Sequence, residues 1–88
     1  MKILINNTYG GFGLSDAVYE KIGNDWDGSR DDPKLISAVE ELGLEESGGY
    51  CAKLAIVEIP DEATDWDIDE YDGWESVIYV VDGKIHYS

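Results

Sequence analysis

Eight carboxylates lie within the fifteen residues 61–75, DEATDWDIDEYDGWE, a segment that contains no Lys or Arg. In its middle, Asp65, Asp67 and Asp69 alternate with Trp66 and Ile68. An extended chain sends alternate side chains to opposite faces, so the three aspartates would share one face at intervals of about 6.6 Å. Such a row of negative charge imitates a phosphate backbone. The same pattern is also typical of a solvated strand face that only keeps a small protein soluble.

The predicted binding surface consists of the carboxylates and aromatic rings of this segment. Its charged members are Asp61, Glu62, Asp65, Asp67, Asp69, Glu70, Asp72 and Glu75. Its candidate aromatic contacts are Trp66, Tyr71 and Trp74. Aromatic side chains often contribute much of the binding energy of a protein interface. If Trp66 faces the core behind the aspartates, that role passes to Tyr71 or Trp74.

Other chemistry finds little support in the residue pattern. The aspartate row resembles the start of an EF-hand calcium loop, but Glu70 stands at the position that needs Gly, and Ser76 at the position that needs Glu. Cys51 and His86 are the single cysteine and the single histidine, and such a pair is more often structural than a catalytic dyad. We therefore expect no enzymatic activity, no cofactor and no specific metal site.

The charge balance restricts the class of partner. Twenty acidic residues against six basic ones give a formal net charge of −14. With no basic patch to displace counterions from phosphate, direct binding to DNA, RNA or an anionic membrane is not expected. A partner with a basic surface is favoured. The hydrophobic content of 43% is too high for a disordered acidic tail, so the chain is expected to fold.

The cellular compartment is predicted from the cysteine content and the N-terminal segment. One cysteine, Cys51, allows no internal disulfide and fits a reducing compartment. The apolar run of residues 3–5 ends at two asparagines, so neither a signal peptide nor a membrane span is expected. We expect a cytoplasmic protein that is a monomer or a small homo-oligomer.

The hydrophobic periodicity predicts a single α+β domain over residues 1–88, with two helices packed on a mostly antiparallel sheet. The expected order is β-α-α-β-β-β-β. Strands are predicted at 2–8, 53–59, through the aspartate row, at 74–81 and at 84–87; helices are predicted at 16–22 after Ser15 and at 33–42 between Asp32-Pro33 and Gly43. The dipeptide Asp82-Gly83 indicates a tight hairpin. Residues 44–50 are expected to form a turn.

Two features between these elements allow alternative interpretations. Residues 9–13, YGGFG, are rich in glycine but lack the Lys and Ser or Thr of a phosphate-binding loop, which favours a simple turn. Trp26 lies in a polar loop at 24–30. It could contact a partner or cover the small core as a lid.

Four segments carry a resemblance to a known group of proteins: KILINNTYGGFGLS, the RDDP that begins the second helix, KLAIVEIPD and WDIDEYDGWE. Together they are similar to small acidic proteins encoded in bacteriophage and prophage genomes. The match covers most of the chain, and YGGF and IDEYDG are its most specific parts. The resemblance implies a phage origin and a place inside the host cell, and it implies no catalytic activity.

Phage origin and the acidic row together predict a non-enzymatic inhibitor of a host defence or nucleic-acid-handling protein. It would bind a basic, nucleic-acid-binding surface as a mimic of DNA or RNA, and in character it resembles anti-restriction and anti-CRISPR inhibitors. One alternative is a regulatory or assembly module that binds a protein through an apolar patch around Trp26 and the YGGF turn. Another is a sponge for a signalling nucleotide, for which Arg30, Lys34 and Lys53 are the candidate cationic contacts.

Overall fold

The computed structural model describes residues 1–50 and 52–88, which form three helices and five strands. In chain order the elements are β1 (Lys2–Asn6), α1 (Asp16–Ile22), α2 (Pro33–Leu42), α3 (Leu44–Ser47), β2 (Leu54–Glu58), β3 (Asp65–Tyr71), β4 (Trp74–Val81) and β5 (Lys84–Tyr87). The α+β class and the order of the predicted elements are confirmed. The short helix α3 replaces part of the expected turn. None of the described helices is long and apolar enough to cross a membrane.

Two antiparallel sheets are present where a single sheet was expected. One contains β1 and β2, and the other contains β3, β4 and β5 in that order. Strand β1 contains three consecutive apolar residues, a pattern that is typical of a central strand buried on both faces. It is indeed buried on both faces, but only β2 pairs with it among the described strands. Burial on both faces therefore arises from packing between layers.

The second edge of β1 is bonded to an ion pair instead of to a strand. The backbone N–H of Leu4 donates to the carbonyl of Arg30 at 2.9 Å, and the carbonyl of Leu4 accepts from the Arg30 guanidinium at 3.2 Å. The N–H of Asn6 donates to the Glu75 carboxylate at 2.8 Å. Arg30 and Glu75 thus satisfy the backbone groups that a third strand would otherwise pair.

Alternation along β1 divides the buried side chains into two clusters. Leu4 packs with the helices in a helical cluster, whereas Ile3 and Ile5 pack in a sheet cluster. The other buried members of the helical cluster are Val18, Ile22, Leu35, Ile36, Ala38, Val39 and Leu54, and those of the sheet cluster are Ile59 and Val77. Full burial of an aliphatic side chain such as Leu4 contributes about 2 kcal/mol. Strand β1 therefore belongs to both cores.

Helices α1 and α2 have the predicted boundaries, but only α2 is capped by the side chain of the residue before it. The Asp32 carboxylate accepts from the backbone N–H of Lys34 at 2.9 Å, and Pro33 occupies the first helical position. Ser15 precedes α1 as predicted. Its hydroxyl donates instead to the carbonyl of Glu46 at 2.7 Å, because α3 lies beside the start of α1.

Two-residue hairpins join the three strands of the larger sheet. Asp82 and Gly83 connect β4 to β5 as predicted, and Asp72 and Gly73 connect β3 to β4 in the same way. Both aspartates have φ 51°, and the glycines have φ 87° and 73°. Positive φ at both central positions matches the right-handed twist of the strands. This geometry fixes the register from β3 through to β5.

The hairpin at Gly73 packs directly against the glycine-rich turn of residues 9–13. The N–H of Gly10 donates to the carbonyl of Asp72 at 3.2 Å. A Cβ atom built on Gly73 would clash with the backbone of Gly10 and Gly11, whereas one built on Gly83 would meet nothing within 4 Å. The YGGF segment is therefore a turn, and the absence of a Cβ atom at Gly73 allows the two backbones to approach closely.

We predict that Gly73→Ala destabilises the protein much more than Gly83→Ala does. Both residues occupy the same position of a two-residue hairpin with positive φ, so each substitution should lose about 1 kcal/mol through backbone strain. Gly73→Ala should lose roughly a further 2 kcal/mol because the two turns must separate. Chemical denaturation of both variants measures the difference. Equal free energies of unfolding would show that the turns do not depend on this contact.

Candidate acidic interface

The aspartate row lies on the outer face of the three-stranded sheet, as the alternation predicted. Asp65, Asp67 and Asp69 are exposed, while Trp66 and Ile68 point to the opposite face and pack against the sheet cluster. Alternate positions of a strand are about 6.6 Å apart, twice the rise per residue. The structure therefore presents three carboxylates in one row on a backbone whose other face is packed.

Apolar side chains of β4 and β5 lie beside the row on the same outer face. Asp65 pairs with Val80 and Asp67 with Ile78, and these residues pair in turn with Ile85 and Tyr87 of β5. A shallow groove of about 140 Å³ is lined by both carboxylates and apolar side chains. Its lining includes Asp65, Trp66, Asp67, Ile78, Tyr79, Val80 and Ile85. The outer face thus offers a charged strip and an apolar strip in parallel.

This outer apolar strip, formed by Ile78, Val80, Ile85 and Tyr87, was missed in the sequence analysis. Ile85 and Tyr87 are 65% and 67% exposed. Alternation carried from the aspartate row through both hairpins could have placed these residues on the same face. The signal that was not used is the dipeptide Asp72-Gly73. It indicates a two-residue hairpin, which fixes the residues of β4 that face outward.

Two aspartates of the row also bind the backbone of their own strand. The N–H of Trp66 donates to Asp65 Oδ1 at 2.9 Å, and the N–H of Ile68 donates to Asp67 Oδ1 at 2.8 Å. These N–H groups lie on the edge of β3 that faces away from β4. Each carboxylate therefore covers a donor on the strand edge and keeps its second oxygen available to solvent.

Most carboxylates of the predicted surface have no cationic neighbour within the described residues. The exposed members are Asp61, Glu62, Asp65, Asp67, Asp69, Glu70 and Asp72. Of these, Asp61 lies 3.0 Å from the amino group of Met1, and no Lys or Arg among residues 1–50 and 52–88 pairs with the others. Glu70 faces away from the row and accepts from the N–H of Gly73 at 2.7 Å. The negative charge of the outer face is consequently not neutralised from within.

Glu75 was wrongly included in the predicted binding surface. It is 6% exposed, and its carboxylate accepts two hydrogen bonds from the Arg30 guanidinium at 2.7 and 2.9 Å. The alternation that sends Asp69 outward sends Glu75 inward, since it follows Trp74 on the paired strand. Glu75 is a structural residue and is unavailable to a partner.

The three aromatic residues of the segment have different environments. Trp66 is half-buried against the sheet cluster, so the contact role passes to the other two rings, as the sequence allowed. Tyr71 is 72% exposed at the end of the outer face. Trp74 is 41% exposed, but its ring packs edge-on against Tyr9 and its Nε1 donates to Asn7 Oδ1 at 2.9 Å. Tyr71 is the ring that a partner could contact most readily.

The residues required by the alternative interpretations are largely occupied. Trp26 is half-buried over the helical cluster, and its Nε1 donates to the carbonyl of Ser29 at 2.9 Å, which makes it a lid. Arg30 is committed to Glu75 and also stacks 3.5 Å above the ring of Phe12. The apolar-patch and nucleotide-sponge hypotheses each lose a principal contact residue.

The single histidine has a structural contact on β5. His86 is exposed on β5 and stacks on Tyr79 with ring centroids 5.3 Å apart, while Cys51 lies outside the described residues. Within the described residues, no group of three or more potential ligands is close enough to hold a metal ion.

Two side chains away from the outer face have displaced pKa values. The hydrogen bond and charge of Glu40 raise the pKa of Lys2. Hydrogen bonds from the backbone and side chain of Ser29 lower the pKa of Asp27. Both shifts favour the charged forms of these groups, and the Lys2 ammonium is held by Glu40 at 2.7 Å.

No protein-family model matches this chain, and neither a curated protein nor a solved structure is significantly similar to it. The resemblance to phage-encoded proteins stays a prediction. The function must therefore be inferred from the geometry of the chain itself.

We predict that Glu75→Gln lowers the free energy of unfolding by about 3 kcal/mol, because it leaves the Arg30 charge partly buried without a counter-charge. The matched control is Glu62→Gln, which removes one exposed charge from the same segment and should change stability by less than about 0.5 kcal/mol. Urea denaturation distinguishes the two. Similar stabilities for both variants would show that the Arg30–Glu75 pair does not support the fold.

Proposed function

We propose that this protein is a phage-encoded, non-enzymatic inhibitor that binds the basic, nucleic-acid-binding surface of a host protein. The observation that supports the proposal most directly is the row of Asp65, Asp67 and Asp69 on one exposed face. The row has a regular spacing and lacks cationic neighbours among the described residues. A basic surface that normally contacts successive phosphates would find comparable charges there.

The backbone that carries the row is held from behind. Trp66 and Ile68 pack against the sheet cluster, and the paired strand β4 is joined to β1 through Glu75. Groups that are already fixed in a binding geometry lose little conformational entropy when a partner arrives. The carboxylates of Asp65 and Asp67 are further oriented by their bonds to backbone N–H groups.

Charge complementarity explains how such a surface would compete with nucleic acid. Complementary potentials accelerate the encounter of two partners and reject partners of like charge. The neighbouring apolar strip, with Ile85 and Tyr87 exposed, would add contact area that a phosphate backbone does not offer. The protein can thus be selective for a surface that combines basic and apolar side chains.

We predict that replacing Asp65, Asp67 and Asp69 together by Asn weakens binding about a hundredfold, as expected for three contacts of about 1 kcal/mol each. Asn keeps an oxygen that can accept from the N–H groups of Trp66 and Ile68. The fold should therefore persist, and relief of repulsion should leave its melting temperature equal or slightly higher.

The control for this variant is Glu20→Gln, Glu45→Gln and Glu46→Gln, which removes the same number of exposed charges from the helical layer. The wild-type protein, the aspartate variant and the control are each used to capture partners from nuclease-treated bacterial lysate. DNA or RNA is then added to test whether it displaces the captured proteins. We expect a nucleic-acid-binding protein that DNA or RNA displaces, that the control retains and that the aspartate variant loses. Equal retention by both variants, or no displacement by nucleic acid, would contradict the proposal.

A further inference from the structure

The two edges of the three-stranded sheet differ in their free hydrogen-bonding groups. On the β3 edge, the N–H groups of Trp66 and Ile68 are already bonded to Asp65 and Asp67. On the β5 edge, the backbone groups of Ile85 and Tyr87 point away from β4, because the hairpin pairs Lys84 with Val81 and His86 with Tyr79 through hydrogen bonds. Strand β5 pairs with no second strand in the part of the chain that the structure describes. We call the β3 edge closed because Asp65 and Asp67 cover two of its outward N–H groups, and we call the β5 edge open.

Charge also separates the two edges. The segment 84–88, KIHYS, contains no acidic residue, whereas the segment 61–75 contains eight. Ile85 and Tyr87 are largely exposed on the outer face of this edge. An open strand edge with apolar side chains and no acidic residue is a favourable site for pairing with another strand. In a chain of net charge −14, a second copy would meet less repulsion at this edge than at the acidic β3 edge.

We propose that β5 pairs antiparallel with β5 of a second copy of this chain, so that three strands from each copy form one continuous sheet. In the register that uses the free groups of both Ile85 and Tyr87, Ile85 bonds to Tyr87 of the second copy, and His86 lies opposite His86 of the second copy. Each Ile85 then packs beside a Tyr87, and such aromatic and β-branched pairs are favourable across strands. The proposal does not depend on the proposed function.

The closed β3 edge explains why this association would stop at two copies. Pairing of β5 with β3 of another molecule would repeat without closing and would form a filament, whereas pairing of β5 with itself closes after one step. In the closed dimer the two β3 strands are separated by five strand spacings, about 24 Å. That distance is roughly three Debye lengths at physiological ionic strength, so the two acidic rows repel each other little.

Sedimentation equilibrium over about a hundredfold range of concentration tests the dimer, since a short strand edge should give a weak, concentration-dependent association. The apparent mass should rise from 9.8 kDa towards twice that value. Tyr87→Pro should remain a monomer because it lacks the outward N–H, and Tyr87→Thr, which keeps that N–H, should still associate. A monomeric mass at every concentration, or association of Tyr87→Pro equal to that of Tyr87→Thr, would refute the proposal.

Crosslinking tests the register even if Tyr87→Pro fails to fold. In a Cys51→Ser background, His86→Cys should form an intermolecular disulfide, since opposite residues of a pair without mutual hydrogen bonds have Cβ atoms about 5 Å apart. Tyr87→Cys should form it at least tenfold more slowly, because Ile85 is its opposite residue. Equal rates for the two variants would exclude this register.

A separate prediction concerns the closed edge of β3. Asp65→Ala with Asp67→Ala uncovers the N–H groups of Trp66 and Ile68, so we expect species larger than a dimer in sedimentation velocity. Asp65→Asn with Asp67→Asn removes the same charges but keeps the accepting oxygens, and it should remain a dimer. Identical size distributions for the two variants would show that the carboxylates do not close this edge.

Discussion

A partly buried ion pair between Arg30 and Glu75 connects the two sheets of this fold, which have no strand in common. It satisfies the backbone groups of Leu4 and Asn6 on the edge of β1 and connects that strand to β4. A buried pair of charges is often no more stabilising than apolar residues of similar size, but loss of one partner is severe. Here the ion pair also makes hydrogen bonds to the edge of β1 that a further strand would otherwise make. The packing of the two sheets, and hence the position of the acidic row, depends on it.

The features that follow local rules were predictable from the sequence. Asp32-Pro33 and Gly43 delimit α2, Asp82-Gly83 forms a hairpin, and alternation places the aspartates on one face. Each of these depends on a few neighbouring residues, whose backbone preferences and periodicity are sufficient to define the structure.

The errors concern contacts between residues far apart in the chain. Glu75 looks like another acid of the segment, and its burial results from Arg30, which lies 45 positions earlier. Three consecutive apolar residues in β1 showed that both faces would be covered but could not show by which layers. Serine is a residue type that often caps helices, yet the hydroxyl of Ser15 donates to a nearby carbonyl of α3. Tertiary contacts override local preference at all three sites.

The position of β5 at the end of the sheet has a consequence for internal motion. Glu75 and Val77 of β4 are buried against β1, whereas β5 is held by β4 alone among the described strands, and all four of its residues are exposed. Elements with few buried contacts open first in native-state fluctuations. In the isolated molecule, amide hydrogen exchange among the strands of this sheet should therefore be fastest in β5 and slowest near Glu75. The acidic row lies on β3, where Trp66 and Ile68 pack against the sheet cluster, so amide exchange in β3 should be slower than in β5.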